Sequence, residues 1–108
     1  MMLVTTETIP GHEIREALGL VRGTTVRAAH ARKDIHAWLK NLVGGEIEEY
    51  TKLLAESREQ ALDRLEAEAR ERGADAVVGL RFSSCEISSG AAEFLAYGTA
   101  VKLAPRSS

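Results

Sequence analysis

The chain has 108 residues and a mass of 11.7 kDa, enough for one domain and too few for two ordinary ones. A hydrophobic fraction of 44% excludes a disordered chain, and with aromatics at only 5% the core must come from Leu, Val, Ile and Ala. Fourteen basic against sixteen acidic side chains leave a net charge of −2, which excludes the overall basic excess that by itself points to nucleic acid.

Residues 2–6 are rich in β-branched types and predict a short strand, ended by Pro10-Gly11. In residues 12–18, Ile14, Ala17 and Leu18 fall at helical spacing and Gly19 follows as a C′ residue, so a helix of about two turns is expected. Residues 20–29 return to a β pattern. Gly23 inside that run signals a bulge or a close backbone approach.

Helical character resumes at Asp34, a suitable N-cap, with Ile35, Leu39, Leu42 and Val43 on one face. Gly44-Gly45 would cost about 2 kcal/mol in a helix interior and predicts a break or kink. The strongest periodicity follows, over residues 46–72. There Ile47, Tyr50, Leu54, Ala61, Leu62, Leu65 and Ala69 form one apolar stripe. Glu48 with Lys52, Glu66 with Arg70 and Glu68 with Arg72 are favourably oriented i,i+4 pairs on the opposite side, and Gly73 is the C′ stop. Residues 76–87 and 92–103 predict two strands joined by a hairpin loop at Ser88-Ser89-Gly90. The whole reads as a single domain over 1–108, with an ordered core over 2–103 and a polar tail over 104–108.

A helix over 46–72 would be about 40 Å long, whereas a compact chain of this size has a radius of gyration of about 13 Å. The helix should therefore overhang a sheet of three or four strands whose edges stay open. Copies that share sheets and helices relieve both features, so a homo-oligomer is expected. One cysteine, Cys85, fits a reducing compartment. The N-terminus lacks a basic segment followed by an apolar one, and no apolar run approaches the roughly 18 residues of a membrane span. The protein is expected to be cytoplasmic, with no membrane partner.

Several ordered segments together resemble the YbjQ-like family of small uncharacterised bacterial proteins. They are Val4-Thr5-Thr6 with Ile9-Pro10-Gly11-His12-Glu13-Ile14, then Val43-Gly44-Gly45 with Tyr50, and Ser57-Arg58-Glu59-Gln60-Ala61-Leu62. Gly73-Ala74-Asp75-Ala76-Val77-Val78-Gly79 and Gly98-Thr99-Ala100-Val101 complete the set, which spans about residues 2–103. The resemblance implies an α+β fold: a dodecin-subunit-like β-α-β-β core, an antiparallel sheet with a long helix on one face, plus a short N-terminal strand. It also implies a ring-shaped homopentamer and carries a heavy-metal-binding label with no established reaction.

Metal chemistry has few ligands to draw on. Soft metals take three or four thiolates and imidazoles, and the chain holds Cys85, His12, His30 and His36. There is no CxxC and no HExxH, and His30 and His36 are six apart, off the i,i+4 spacing of a shared helical face. A site built from His30, His36 and Cys85 would have to be pooled between elements or subunits. No cofactor is expected, with a divalent metal as the only alternative. Nucleophilic catalysis lacks a GxSxG elbow and a His near Cys85 in sequence. Arg58 stands out because it falls near the centre of the apolar stripe, where a charge needs a partner. It is the candidate for a subunit contact or an anionic ligand. Arg22, Arg27, Arg32, Lys33 and Lys40 make residues 22–40 basic, but without interleaved aromatics nucleic acid is not an expected partner. The expected function is a non-enzymatic homo-oligomeric binding or scaffold module. A metal site at subunit junctions and an enzyme with a site shared between subunits are the alternatives.

Overall fold

The computed structural model describes residues 1–28, 45–88 and 91–105. The helix expected from Asp34, together with His30 and His36, lies outside them, as does most of the expected hairpin loop. Five elements follow in order: β1 (Met2–Leu3), β2 (Ile14–Ala28), a helix α1 (Gly45–Glu71), β3 (Ala76–Ser88) and β4 (Ala91–Leu103). The strands form one sheet in the order β1-β3-β4-β2, with β4 antiparallel to both its neighbours and β1 parallel to β3. This is the expected α+β core with its short N-terminal strand. One difference is that β1, parallel to β3, makes the sheet mixed.

The helix expected at residues 12–18 is absent: from Ile14 onward that segment is the first half of β2. The physical reason is a pair of register shifts against β4, between Ile14 and Glu16 and between Ala17 and Gly19. Each irregularity breaks the two-residue alternation of a strand. Apolar residues therefore recur at three and four, as on a helix, although they serve opposite faces of the sheet. Leu18 packs with the core under α1, whereas Ile14 packs on the other side against Ile9, Ala76, Val78 and Val101. Gly19, at φ +102°, is part of the bulge and not the end of a helix.

α1 is seated mainly by small side chains, with Leu65 the one large one among them. Ser57, Ala61, Leu65 and Ala69 recur every fourth residue and are fully buried. Beneath them lies Gly23 of β2, where a Cβ would stand 2.0 Å from the Ala61 carbonyl oxygen and 2.5 Å from the Leu65 nitrogen. Helix backbone and strand are thus in direct contact, the close approach that a glycine in this run signals. The buried Thr25 hydroxyl donates to the Ser57 carbonyl at 3.2 Å. At the far end, Ala74 N–H bonds the Ala69 carbonyl and Gly73 N–H the Arg70 carbonyl, both at 3.0 Å, with Gly73 at φ +75°. That pair of bonds is the Schellman motif expected of Gly73.

The helix also overhangs the outer edge of β2. Arg64 donates to the Thr24 carbonyl, Glu68 accepts the Arg22 N–H at 3.1 Å, and Arg72 donates to the Leu20 carbonyl at 2.7 Å. Four helical residues rise about 6 Å, close to the roughly 6.6 Å of two strand residues. Every fourth helix side chain therefore meets every second rung. The expected ion pairs Glu66–Arg70 (3.5 Å) and Glu68–Arg72 (3.1 Å) are formed. On the other side of the sheet, the segment after β1 carries the buried Ile9 across Ala76, Val78 and Val101. The molecule is elongated, 57 × 24 × 18 Å, and its radius of gyration of 17.4 Å exceeds the roughly 13 Å of a compact chain this long.

Candidate functional site

Because α1 lies mainly along β2 and β4, no helix of the described residues covers the half of β3 beyond Arg81. Strand alternation and the register place Phe82 and Ser84 of β3 and Phe94 of β4 on the helix side of the sheet. Between these residues and Leu54 and Arg58 of α1 opens a cleft of about 450 Å³, with Ser83, Cys85 and Ala92 completing its lining. The volume falls in the range of small-molecule sites. Phe82 remains 47% exposed beside it. The cleft thus has an aromatic floor, hydroxyls at its rim and one cation in its wall.

That cation is Arg58. The structure corrects its expected position at the centre of the buried stripe: the buried line runs through Ser57, and Arg58, about 100° further round the helix, is exposed. The reason is the seat on Gly23, which brings the line of Ser57, Ala61, Leu65 and Ala69 onto β2 and leaves Leu54, Arg58 and Leu62 on its flank. The other arginines of this helical region are engaged: Arg64 with Thr24, Arg70 with Glu66, and Arg72 with Glu68 and Leu20. Arg58 makes no hydrogen bond or ion pair among the described residues, and sequence explains part of this. Leu54 and Leu62 occupy its i±4 positions, where an acid would have to stand.

Cys85 borders the cleft through its place in β3, but strand alternation from Ser84 turns its side chain to the other face of the sheet. It is exposed, and its Sγ lies 4.0 Å from Oε1 of Glu93 across the sheet. Arg58 and Cys85, singled out separately in the sequence, thus border one region of the sheet with their side chains on opposite faces. His12 lies in the turn after Ile9, whose carbonyl accepts its N–H at 3.0 Å. Among the described residues no three His, Cys, Asp or Glu side chains converge as a metal would require. One thiol with one carboxylate falls short of the three or four donors a soft metal takes, so the described donor set of a single chain does not fit one. The sequence reading missed the run of Arg64, Glu68 and Arg72 along β2. Its signal was the spacing of four, but only the structure shows that backbone groups of a strand are its targets.

Comparison with known proteins bears on this arrangement. A family model described as "Putative heavy-metal-binding" matches residues 1–104. A UPF0145 protein of Archaeoglobus fulgidus is 57% identical over 103 residues, 95% of each chain. One from Psychromonas ingrahamii is 55% identical over 103 residues, covering 95% of this chain and 98% of its own. An archaeal relative widens the range beyond the bacterial one implied by the resemblance. Among solved structures, a protein of unknown function in the DUF74 family from Pediococcus pentosaceus superimposes with a TM-score of 0.66. It is 17% identical and the match covers 96% of this chain and 98% of that one, which supports the fold alone.

Proposed function

The chain belongs to the YbjQ-like, UPF0145 family described as "Putative heavy-metal-binding", and from that premise we propose that it is a non-enzymatic, homo-oligomeric binding module of the cytoplasm. Its assembly is the ring of five copies that the family resemblance implies. The observation that carries the binding role is the cleft in which the Arg58 guanidinium, without a partner among the described residues, faces an aromatic floor. Such a site suits an anionic group carried on a flat apolar body, or an acidic segment of another protein. The elongated protomer supports the oligomeric role. Native mass spectrometry of the purified protein tests both at once, since it reports subunit number and any retained small molecule. A monomer without ligand contradicts the proposal.

A second reading follows the family description. Cys85 and Glu93 form an exposed thiol–carboxylate pair, and junctions between copies could complete a soft-metal site from two or more such pairs. Metal analysis of wild type and Cys85→Ser after loading with zinc or cadmium tests it. Equal metal retention by both proteins contradicts this reading.

A further inference from the structure

In the sequence no aromatic stands among the basic residues at the start of the 22–40 stretch; across the sheet one does. The register sets Arg22 of β2, Tyr97 of β4 and Arg81 of β3 on one rung, each arginine directly opposite the tyrosine. Residues so paired carry their side chains on the same face, with Cβ atoms about 5 Å apart. Ala96 and Ala100 belong to the core under α1, so strand alternation turns Tyr97 to the face that α1 does not cover. Ile9 covers that face over Ala76, Val78 and Val101, yet Tyr97 is left 37% exposed, and Leu20, two residues along β2 from Arg22, 55%. The two cations are held differently. Arg81 Nη1 donates to the Thr5 and Leu80 carbonyls, both at 2.8 Å, which fixes one guanidinium on the β3 side. The Arg22 side chain is exposed and makes no hydrogen bond or ion pair among the described residues; Glu68, which accepts its N–H, is already paired with Arg72. The nearest acid of this face on β4, Glu93, is four residues from Tyr97, about 13 Å at strand rise and beyond the Debye length of about 8 Å at physiological salt.

An aromatic ring open on a sheet face, with a cation on each side, suits a nucleic-acid base that stacks on the ring while the neighbouring phosphates are neutralised. We infer that this rung is a binding surface for single-stranded nucleic acid, with one base on Tyr97 and Arg22 and Arg81 on the phosphates to either side of it. Charge and shape select that occupant. A nucleotide inside a strand carries a phosphate on each side, one for each arginine, whereas a free nucleotide supplies phosphate on one side only. A duplex keeps its bases stacked on one another and offers none to the ring. An acidic peptide matches the arginines but leaves the ring without a planar partner. The net charge of −2 adds no long-range attraction, so the site is weak in a single copy and gains when one strand reaches several copies of an oligomer. The surface is distinct from the Arg58 cleft, which opens on the helix side of the sheet.

Fluorescence anisotropy of a short labelled oligouridylate titrated with the purified protein at low salt tests this. Binding is expected at about 10⁻⁴–10⁻⁶ M, with log K falling by about 1.4 per tenfold rise in salt, the value for two phosphate contacts on a single strand. Arg22→Ala should reduce that slope to about 0.7. Tyr97→Ala should weaken binding at least about fivefold, whereas Tyr97→Phe, which keeps the ring, should bind like wild type. No binding at protomer concentrations of about 10⁻⁴ M overturns the inference, as does equal binding of an RNA duplex or equal competition by polyglutamate. Loss of binding in Arg58→Ala with wild-type binding by Arg22→Ala puts the strand in the cleft; that overturns the inference and leaves the cleft reading standing. Ultraviolet cross-linking of the wild-type complex is independent of how any variant folds. The adduct should lie on Tyr97, and an adduct on Phe82 or Phe94 instead contradicts the inference, because those rings stand on the opposite face of the sheet.

Discussion

Gly23→Ala tests the seat of α1. The added Cβ would stand 2.0 Å from the Ala61 carbonyl oxygen and 2.5 Å from the Leu65 nitrogen, both backbone atoms in the middle of a helix. Rotamer changes cannot relieve such a contact. The helix must lift by about 1 Å to restore an ordinary separation, and a gap of that size forfeits a quarter to a half of the dispersion attraction along the interface. Ser57, Ala61, Leu65 and Ala69, all fully buried, lose contact together. Overpacking typically costs about 1–3 kcal/mol, and a rigid backbone clash belongs at or above the top of that range, so about 3 kcal/mol or more is expected. Gly98→Ala is the comparison, because there the nearest atom is the Val77 side-chain Cγ1 at 2.7 Å, which can yield. Urea denaturation at fixed protomer concentration, with both variants beside wild type, gives the difference. A loss below about 1 kcal/mol for Gly23→Ala, or one no larger than that for Gly98→Ala, refutes direct backbone seating.

Other substitutions test separate parts of the account. Arg58→Ala should change stability by less than about 0.5 kcal/mol, as at other exposed sites, while reducing whatever anionic ligand the purified protein retains; a loss of 3 kcal/mol or more in denaturation would mean a buried pair. Glu68→Ala removes the acceptor of the Arg22 N–H and the partner of Arg72, so about 1 kcal/mol should be lost. Freeing that edge should also increase aggregation in light scattering, and an unchanged stability and scattering contradict its shielding role. EDTA should leave the melting temperature within a few degrees, since the core is built from Val21, Leu65, Val77 and their apolar neighbours. A fall of tens of degrees would reveal a structural metal.

The readable parts of this fold are those where one signal acts alone. α1 carries an uninterrupted helical period into a Gly73 stop, and β3 and β4 carry β-rich runs, so their places in the sequence match the structure closely. The first half of β2 reads as a helix because two irregularities put Ile14, Ala17 and Leu18 on a helix-like spacing, and only the pairing with β4 distinguishes the two. Periodicity alone puts Arg58 near the centre of the stripe because it weighs hydrophobicity, whereas the helix is seated by the backbone of Ala61 and Leu65 on Gly23, which sets the buried line through Ser57 instead. For the cleft, Arg58 is visible as a charge in an apolar stripe, and Cys85 only as a candidate soft-metal ligand. That Arg58 stands over Phe82 and Phe94 follows from how far α1 extends over the sheet, which no local pattern encodes.

Sedimentation or native mass spectrometry of the wild-type protein at micromolar concentration tests the central claim most directly. The account predicts a closed assembly, five copies of the 11.7 kDa chain at about 58 kDa, persisting on dilution as a ring with no free edges should. A species of 11.7 kDa across that concentration range would contradict it.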